Sequence, residues 1–124
     1  MAEYPEFLIT LAFDKTSEKH VTLAFTLGLK AQEKNLRTAI LLFLDGVNVG
    51  VTGYVDDIDI GEPFLAVKDM LDVFLSQDGQ LLICGSCWKH AGRTDPDRMS
   101  GAKIVTADMV IDMLLNARTT LQLN

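Results

Sequence analysis

Four short apolar runs, separated by segments of helical periodicity, constrain this chain more than any other feature. They are Phe7-Leu8-Ile9-Thr10-Leu11-Ala12-Phe13, Ala39-Ile40-Leu41-Leu42-Phe43-Leu44, Gln80-Leu81-Leu82-Ile83-Cys84 and the brief Ile104-Val105. A strand with one wet face alternates apolar and polar residues, whereas these runs are apolar at consecutive positions. That is the pattern of strands covered on both faces, as in a parallel sheet. Between the first two runs, Glu18 to Lys34 places Val21, Ala24, Phe25 and Gly28 on one helical stripe, with Thr16 or Ser17 available as N-cap. Pro63 suits the first turn of a second helix, where its missing N–H costs nothing. Phe64, Val67, Leu71 and Phe74 recur there at helical spacing, beside Met70, and Asp78-Gly79 ends the segment. Thr106 caps a helix from Ala107 to Ala117, and Thr119 to Leu123 alternates weakly, as an edge strand does. Alternation of strand and helix predicts an α/β fold. Its form is a three-layer α/β/α sandwich with a mostly parallel sheet of four or five strands and right-handed crossovers.

A length of 124 residues fits one domain, residues 1–124, with a core large enough to need no disulfide or metal staple. Apolar residues at 48% and charged residues at 23% exclude a disordered, collagen-like or disulfide-scaffold chain. No internal repeat, low-complexity tract or linker interrupts it. No apolar stretch is long enough for a membrane span, and MAEYPEF lacks the basic and apolar regions of a secretory signal. A cytoplasmic location is therefore expected. Eleven Lys and Arg against seventeen Asp and Glu leave a net charge of −6. That balance disfavours both nucleic acid and an anionic membrane as partners. Lys89, His90, Arg93 and Arg98 do gather locally, and read as a solvated loop.

Two helices are more apolar than a monomer needs. Leu23, Leu27 and Leu29 extend the first beyond its core stripe. Met109, Val110, Ile111, Met113, Leu114 and Leu115 cover most of the last. A helix apolar nearly all round is buried on more than one side, so a neighbouring subunit is expected against both.

In open parallel sheets, ligands bind beyond the carboxyl ends of the strands. Asp14, Lys15 and Thr16 follow the first run, Asp45 and Gly46 the second, and Cys84, Gly85, Ser86 and Cys87 the third. Lys89 and His90 come just after. The stretch Val47 to Gly61, rich in Gly and Asp, reads as a long loop at the same rim, placed to act as a lid. A nucleotide site is not expected, because neither G-x-G-x-x-G nor G-x-x-x-x-G-K-[ST] follows the first strand. Asp14 and Glu18 would also repel phosphate there.

Cys84 ends a buried strand and faces the free N–H groups of the turn at Gly85 to Cys87. Those donors, with Lys89 or His90 nearby, favour thiolate over thiol. Four chemistries suit Cys-Gly-Ser-Cys. A thioredoxin-like redox pair normally follows an early strand, whereas this one lies two-thirds along the chain. Zinc would take Cys84, Cys87 and His90, leaving only His20 or a carboxylate as fourth ligand. A cysteine hydrolase needs a positioned base, and His20 and His90 are the only histidines. A persulfide carrier needs only one activated, accessible thiol and a docking surface. No motif calls for a metal or an organic cofactor.

The order of these pieces resembles the DsrE-like family, which includes DsrE/DsrF and TusD-type sulfur-relay proteins. The resemblance covers nearly the whole chain. It rests on Asp14-Lys15-Thr16-Ser17 leading from an early strand into a helix and on Leu42-Phe43-Leu44-Asp45-Gly46-Val47. Its strongest element is Leu82-Ile83-Cys84-Gly85-Ser86-Cys87-Trp88-Lys89-His90-Ala91-Gly92. The family's arginine usually stands beside the glycine after the short helix; here Ala91-Gly92-Arg93 reverses that order. The resemblance implies a flavodoxin-like or Rossmann-like sandwich, a homotrimer or homohexamer, and sulfur carried as a cysteine persulfide at the position of Cys84. The expectation is a sulfur carrier of the sulfurtransferase type, working with sulfur donor and acceptor proteins. Cys84 would accept sulfur, the Gly85 to Cys87 amides would stabilise it, and Cys87 would resolve the persulfide. The alternative is a non-catalytic oligomeric module that binds a small ligand or a protein through the exposed parts of the 47–61 loop.

Overall fold

The computed structural model describes residues 4–124. Its strands are β1 (Phe7–Leu11), β2 (Thr38–Leu42), β3 (Gln80–Cys84), β4 (Ala102–Val105) and β5 (Thr119–Leu123). They form one sheet in the order β4-β3-β2-β1-β5, with every neighbouring pair parallel. The helices are α1 (Glu18–Glu33), α2 (Val67–Ser76), α3 (Gly85–His90) and α4 (Ala107–Asn116). The three-layer α/β sandwich expected from the apolar runs is the one that forms.

The runs are consecutive because successive side chains serve opposite faces. Ile9, Leu11, Ile40, Leu42, Leu81 and Ile83 point to one face, where Val21, Ala24 and Phe25 of α1 and Val67, Met70, Leu71 and Phe74 of α2 cover them. Phe25 and Phe74 meet edge to face there, centroids 6.1 Å apart. Leu8, Ala39, Leu41, Leu82 and Val105 point to the other face and meet Met113 of α4. From β1 to β4 each crossover steps the same way across the sheet. The α4 crossover then returns over the opposite face to set β5 beyond β1. Reversing both direction and face preserves crossover handedness.

The structure corrects the edges of several elements. Ala12, Phe13, Phe43 and Leu44 lie beyond the strands that were expected to include them, and β4 starts two residues before Ile104. Pro63 does not open α2. It sits in a turn after a cis Glu62–Pro63 peptide, and α2 begins at Val67, whose N–H donates to the Ile58 carbonyl at 3.0 Å.

The larger correction concerns 47–61. Residues Leu44–Gly50 form a 3₁₀ segment, called here the 44–50 turn. Val47, Val49, Val55 and Ile58 are at most 1% exposed. Gly50 lets this stretch lie on β3, because a Cβ there would come within 2.5 Å of Ile83 Cδ1. Lifting the segment as a lid would expose four buried side chains, at about 1.5–3 kcal/mol each. It is a plug on the core, not a lid.

The excess apolar surface of α1 is met in part within the chain, since Leu23, Leu27 and Leu29 are partly buried against the larger core. That of α4 is not. Met109, Ile111, Leu114 and Leu115 are 47%, 54%, 38% and 77% exposed. Among the described residues, no helix is long and apolar enough to cross a membrane.

Candidate functional site

Parallel strands bring all their carboxyl ends to one rim. Cys84 is the last residue of β3 and the N-cap of α3, and Cys87 follows one turn later. Both thiols are free and half-buried. Trp88, 4% exposed, seats α3 on the core. Gly85 lets the helix start against β4, for a Cβ there would lie 3.1 Å from Ile104 Cγ2 and 3.2 Å from the Val105 carbonyl.

The expected cradle of α3 amides does not hold Cys84, whose side chain makes no cap hydrogen bond. The amide aimed at sulfur comes from elsewhere. Leu44 N–H donates to Cys87 Sγ at 3.2 Å. Leu44 has φ of +52°, in the left-handed region that non-glycine residues rarely adopt. The 44–50 turn holds it there. Phe43 N–H donates to the Leu11 carbonyl at 3.1 Å, and Gly46 N–H to the Phe43 carbonyl at 2.9 Å. Gly46 rests so closely on β1 that a Cβ would overlap the Leu11 carbonyl oxygen. Burial pushes the Cys87 thiol above its ordinary pKa, and the Leu44 amide opposes this. A side-chain hydrogen bond with Cys84 and the charge of Cys84 push it further up.

A second cluster lies along the same turn. Asp14 accepts from Thr16 N–H at 2.9 Å and from Asn48 Nδ2 at 3.0 Å. Asn48 Oδ1 accepts in turn from Arg93 Nε at 3.0 Å. Burial disfavours the Asp14 carboxylate, but the Thr16 and Asn48 donors outweigh it and hold the pKa below its ordinary value. The ends of β1, the 44–50 turn and the chain after α3 are thereby tied together.

The other predicted residues divide. Lys15 is paired with the 47–61 stretch, its Nζ 2.8 Å from Asp57 Oδ1 and 4.6 Å from the centroid of the Tyr54 ring. Thr16, Asp45, Ser86, Lys89 and His90 are exposed along the rim. His20 pairs with Ser17, Oγ to Nδ1 2.6 Å, and stacks on Phe13 at 4.3 Å. The zinc set is not assembled: among the described residues, no three His, Cys, Asp or Glu side chains are grouped to hold a metal ion. Leu44, Asn48, Tyr54 and Asp57 are not among the residues the sequence singles out for the site, and Arg93 stands out there only in the basic cluster and in the reversed Ala91-Gly92-Arg93 order. An asparagine amid valines and glycines was the one available signal. A backbone N–H such as that of Leu44 leaves none.

Chemically, the rim offers two half-buried thiols one helical turn apart and one N–H donor aimed at Cys87. That set suits thiol exchange, in which sulfur attacks sulfur and no separate base is needed.

The model of the DsrE/DsrF-like family matches residues 7–123. Among solved structures, the chain is similar to the YchN protein of E. coli, with a TM-score of 0.73 and 24% identity, covering 94% of this chain and 97% of that one. It is also similar to a protein of unknown function, MTH1491, from Methanobacterium thermoautotrophicum. There the TM-score is 0.66 and the identity 15%, covering 94% of this chain and 95% of that one. Identities this low show a shared fold. No curated protein sequence matches the chain.

Proposed function

The chain belongs to the DsrE/DsrF-like family, a family generally linked to sulfur relay, and from that premise we propose that it carries sulfane sulfur as a persulfide on Cys84. The observation that carries this reading is the placement of a half-exposed thiol at the carboxyl end of β3, with a second thiol one turn away. In the loading step the Cys84 thiolate attacks the outer sulfur of a donor persulfide. The donor's S–S bond breaks, and its electron pair stays on the donor sulfur. In the unloading step an acceptor thiolate attacks the outer sulfur on Cys84, and Cys84 leaves as thiolate. Neither step changes the overall oxidation state. In a side branch, Cys87 attacks the inner sulfur and expels hydrosulfide. The Cys84–Cys87 disulfide then needs a dithiol reductant to reopen it.

The donor and acceptor are taken to be proteins docking at the rim in the cytoplasm. The carrier is taken to be a homotrimer or homohexamer, a reading supported by the exposed apolar residues of α4. Lys89, His90 and Ser86 would meet the docking partner, being exposed beside the thiols. Asp14, Lys15, Thr16, Asp45, Gly85 and Gly46 would shape the rim.

Intact-mass measurement after incubation with a small persulfide donor tests the proposal. A gain of one sulfur atom in the native protein and in Cys87→Ser, absent in Cys84→Ser, is the expected result. No gain in the native protein, with slow alkylation of both thiols, would sink it in favour of a non-catalytic binding module.

A further inference from the structure

We infer that the open edge of β5 is a strand-pairing surface whose partner is β5 of a second copy, laid antiparallel across a two-fold axis at Leu121. This rests on the self-association reading and not on the sulfur chemistry. The sheet has two edges, β4 and β5, and the two are built differently. An open edge is a template for another strand, and chains guard it with charge, brevity or a covering segment. β4 has all three. It is four residues long, and Lys103 stands exposed within it. The chain before it folds over the edge: Ala102 N–H donates to the Met99 carbonyl at 3.3 Å, and Arg98 Nη1 donates to the Ala102 carbonyl at 2.6 Å. Asp95 holds that guanidinium in place, Oδ1 2.9 Å from Nη2. β5 has no such guard. Thr119-Thr120-Leu121-Gln122-Leu123 carries no charge and no proline, and it pairs residue for residue with Phe7–Leu11 without a bulge.

The backbone of β5 fixes how a copy fits. In a parallel ladder the N–H and C=O of one residue turn to the same side, and successive residues turn to opposite sides. Thr119 N–H donates to the Glu6 carbonyl at 3.1 Å, and the Leu123 carbonyl accepts from Ala12 N–H at 3.0 Å. Thr119, Leu121 and Leu123 therefore bond β1, and the N–H and C=O groups of Thr120 and Gln122 face outward. Antiparallel strands exchange two hydrogen bonds between outward-facing residues that stand directly opposite. Thr120 must then stand opposite Gln122 of the second copy, and Gln122 opposite Thr120. Leu121 meets Leu121 of the second copy on the axis, and Arg118 meets Asn124, so no like charges are opposed.

Charge favours this partner over another. Copies of a chain with net charge −6 repel one another, and an uncharged, self-complementary edge is where two of them can approach closely. Four backbone hydrogen bonds do not by themselves offset the freedom that two chains lose on associating. The pairing therefore needs apolar contact elsewhere in the assembly, which the exposed Ile111, Leu114 and Leu115 of α4 supply. A ring of three has no two-fold axis, whereas two rings stacked face to face have them. The assembly required is thus the hexamer, with two α4-bound rings joined edge to edge through β5. Several such pairings acting together between the rings hold where one alone would not.

Disulfide cross-linking in a Cys84→Ser, Cys87→Ser background tests the register. Directly opposed residues of an antiparallel pair bring their Cβ atoms to about 4.5–5.5 Å, close enough for a disulfide after small movement. Leu121→Cys is expected to oxidise to a covalent dimer. Thr119→Cys, about 14 Å from its counterpart in this register, is not. Gln122→Pro removes an outward N–H that the single chain does not use, a place where an edge strand tolerates proline. The native protein should sediment at six chain masses, and Gln122→Pro at three with an unchanged far-UV spectrum. Four results would each overturn the inference while leaving self-association standing: no dimer from Leu121→Cys, an equal yield from Thr119→Cys, native protein at three chain masses, or a folded proline variant that stays at six. Native protein at a single chain mass would refute self-association as well. Should Gln122→Pro fail to fold, the two cysteine variants decide the matter alone. A strand from a different protein on this edge would leave Leu121→Cys without its covalent dimer.

Discussion

Arg93 Nε donates to Asn48 Oδ1 at 3.0 Å although the two residues are 45 positions apart. The same Asn48 amide donates from Nδ2 to Asp14. One side chain therefore joins the connections that follow β1, β2 and α3, and it does so within the turn that presents Leu44 to Cys87. Replacing Asn48 by leucine leaves two partly buried polar groups without their partner. The expected loss is about 1–3 kcal/mol of unfolding free energy. Urea denaturation of Asn48→Leu against native protein measures it. A loss under about 0.5 kcal/mol, the range of an ordinary surface substitution, would mean that water replaces the amide at no cost.

Asp14 gives this cluster a pH dependence of known sign. Burial works against its charge, but the donors from Thr16 and Asn48 lower its pKa from the ordinary 3.8. A carboxyl whose folded pKa is depressed stabilises the fold above its unfolded pKa. That contribution is lost as pH falls through the folded value. The stability difference between native protein and Asp14→Ala should be full near neutrality and shrink as pH drops below about 3.8. Thermal melts of both proteins across that range check it. A difference that grows on acidification would contradict the assigned direction.

Gly46 links the fold to the thiols. A Cβ there would overlap the Leu11 carbonyl oxygen, which is backbone of a central strand and cannot move aside. In Gly46→Ala the 44–50 turn has to lift from β1, at the roughly 1–3 kcal/mol typical of overpacking. The Leu44 amide should move off Cys87 with it. Lower stability together with a changed alkylation rate at Cys87, whose own sequence is untouched, is the expected pair of results. A stability loss with unchanged Cys87 kinetics would show that the turn and the thiol are not coupled.

How legible all this was in the sequence depends on which atoms carry it. Two-sided burial writes itself as consecutive apolar residues, so the runs at Ile9, Leu41 and Leu82 announced a parallel sheet. The place of Cys84 at the end of β3 followed from the same pattern. Leu44 was unreadable because its contribution is a backbone N–H held at positive φ, a conformation that leucine itself argues against. The 47–61 stretch misled for a different reason. Its glycines and aspartates suggest solvent, while Val47, Val49, Val55 and Ile58 are spaced for no regular element and still reach the core. Asp14, Asn48 and Arg93 belong to three separate connections, and no local pattern relates them.

The outer face of α4 leads to the last expectation. Ile111 and Leu115, one helical turn apart, are 54% and 77% exposed, with Leu114 beside them at 38%. The opposite face of the helix already packs through Met113 on the sheet, so this apolar stripe has no partner among the described residues. Changing Ile111 and Leu115 to lysine in an isolated chain should alter stability by no more than about 0.5 kcal/mol each. If the stripe is the contact between copies, the same changes place desolvated charge in an apolar interface and should break it. Sedimentation of the native protein is expected at three or six times 13.7 kDa, and of the double variant at 13.7 kDa with its far-UV spectrum unchanged. Native protein sedimenting at 13.7 kDa would refute self-association. An intact oligomer in the double variant would place the contact elsewhere on the surface.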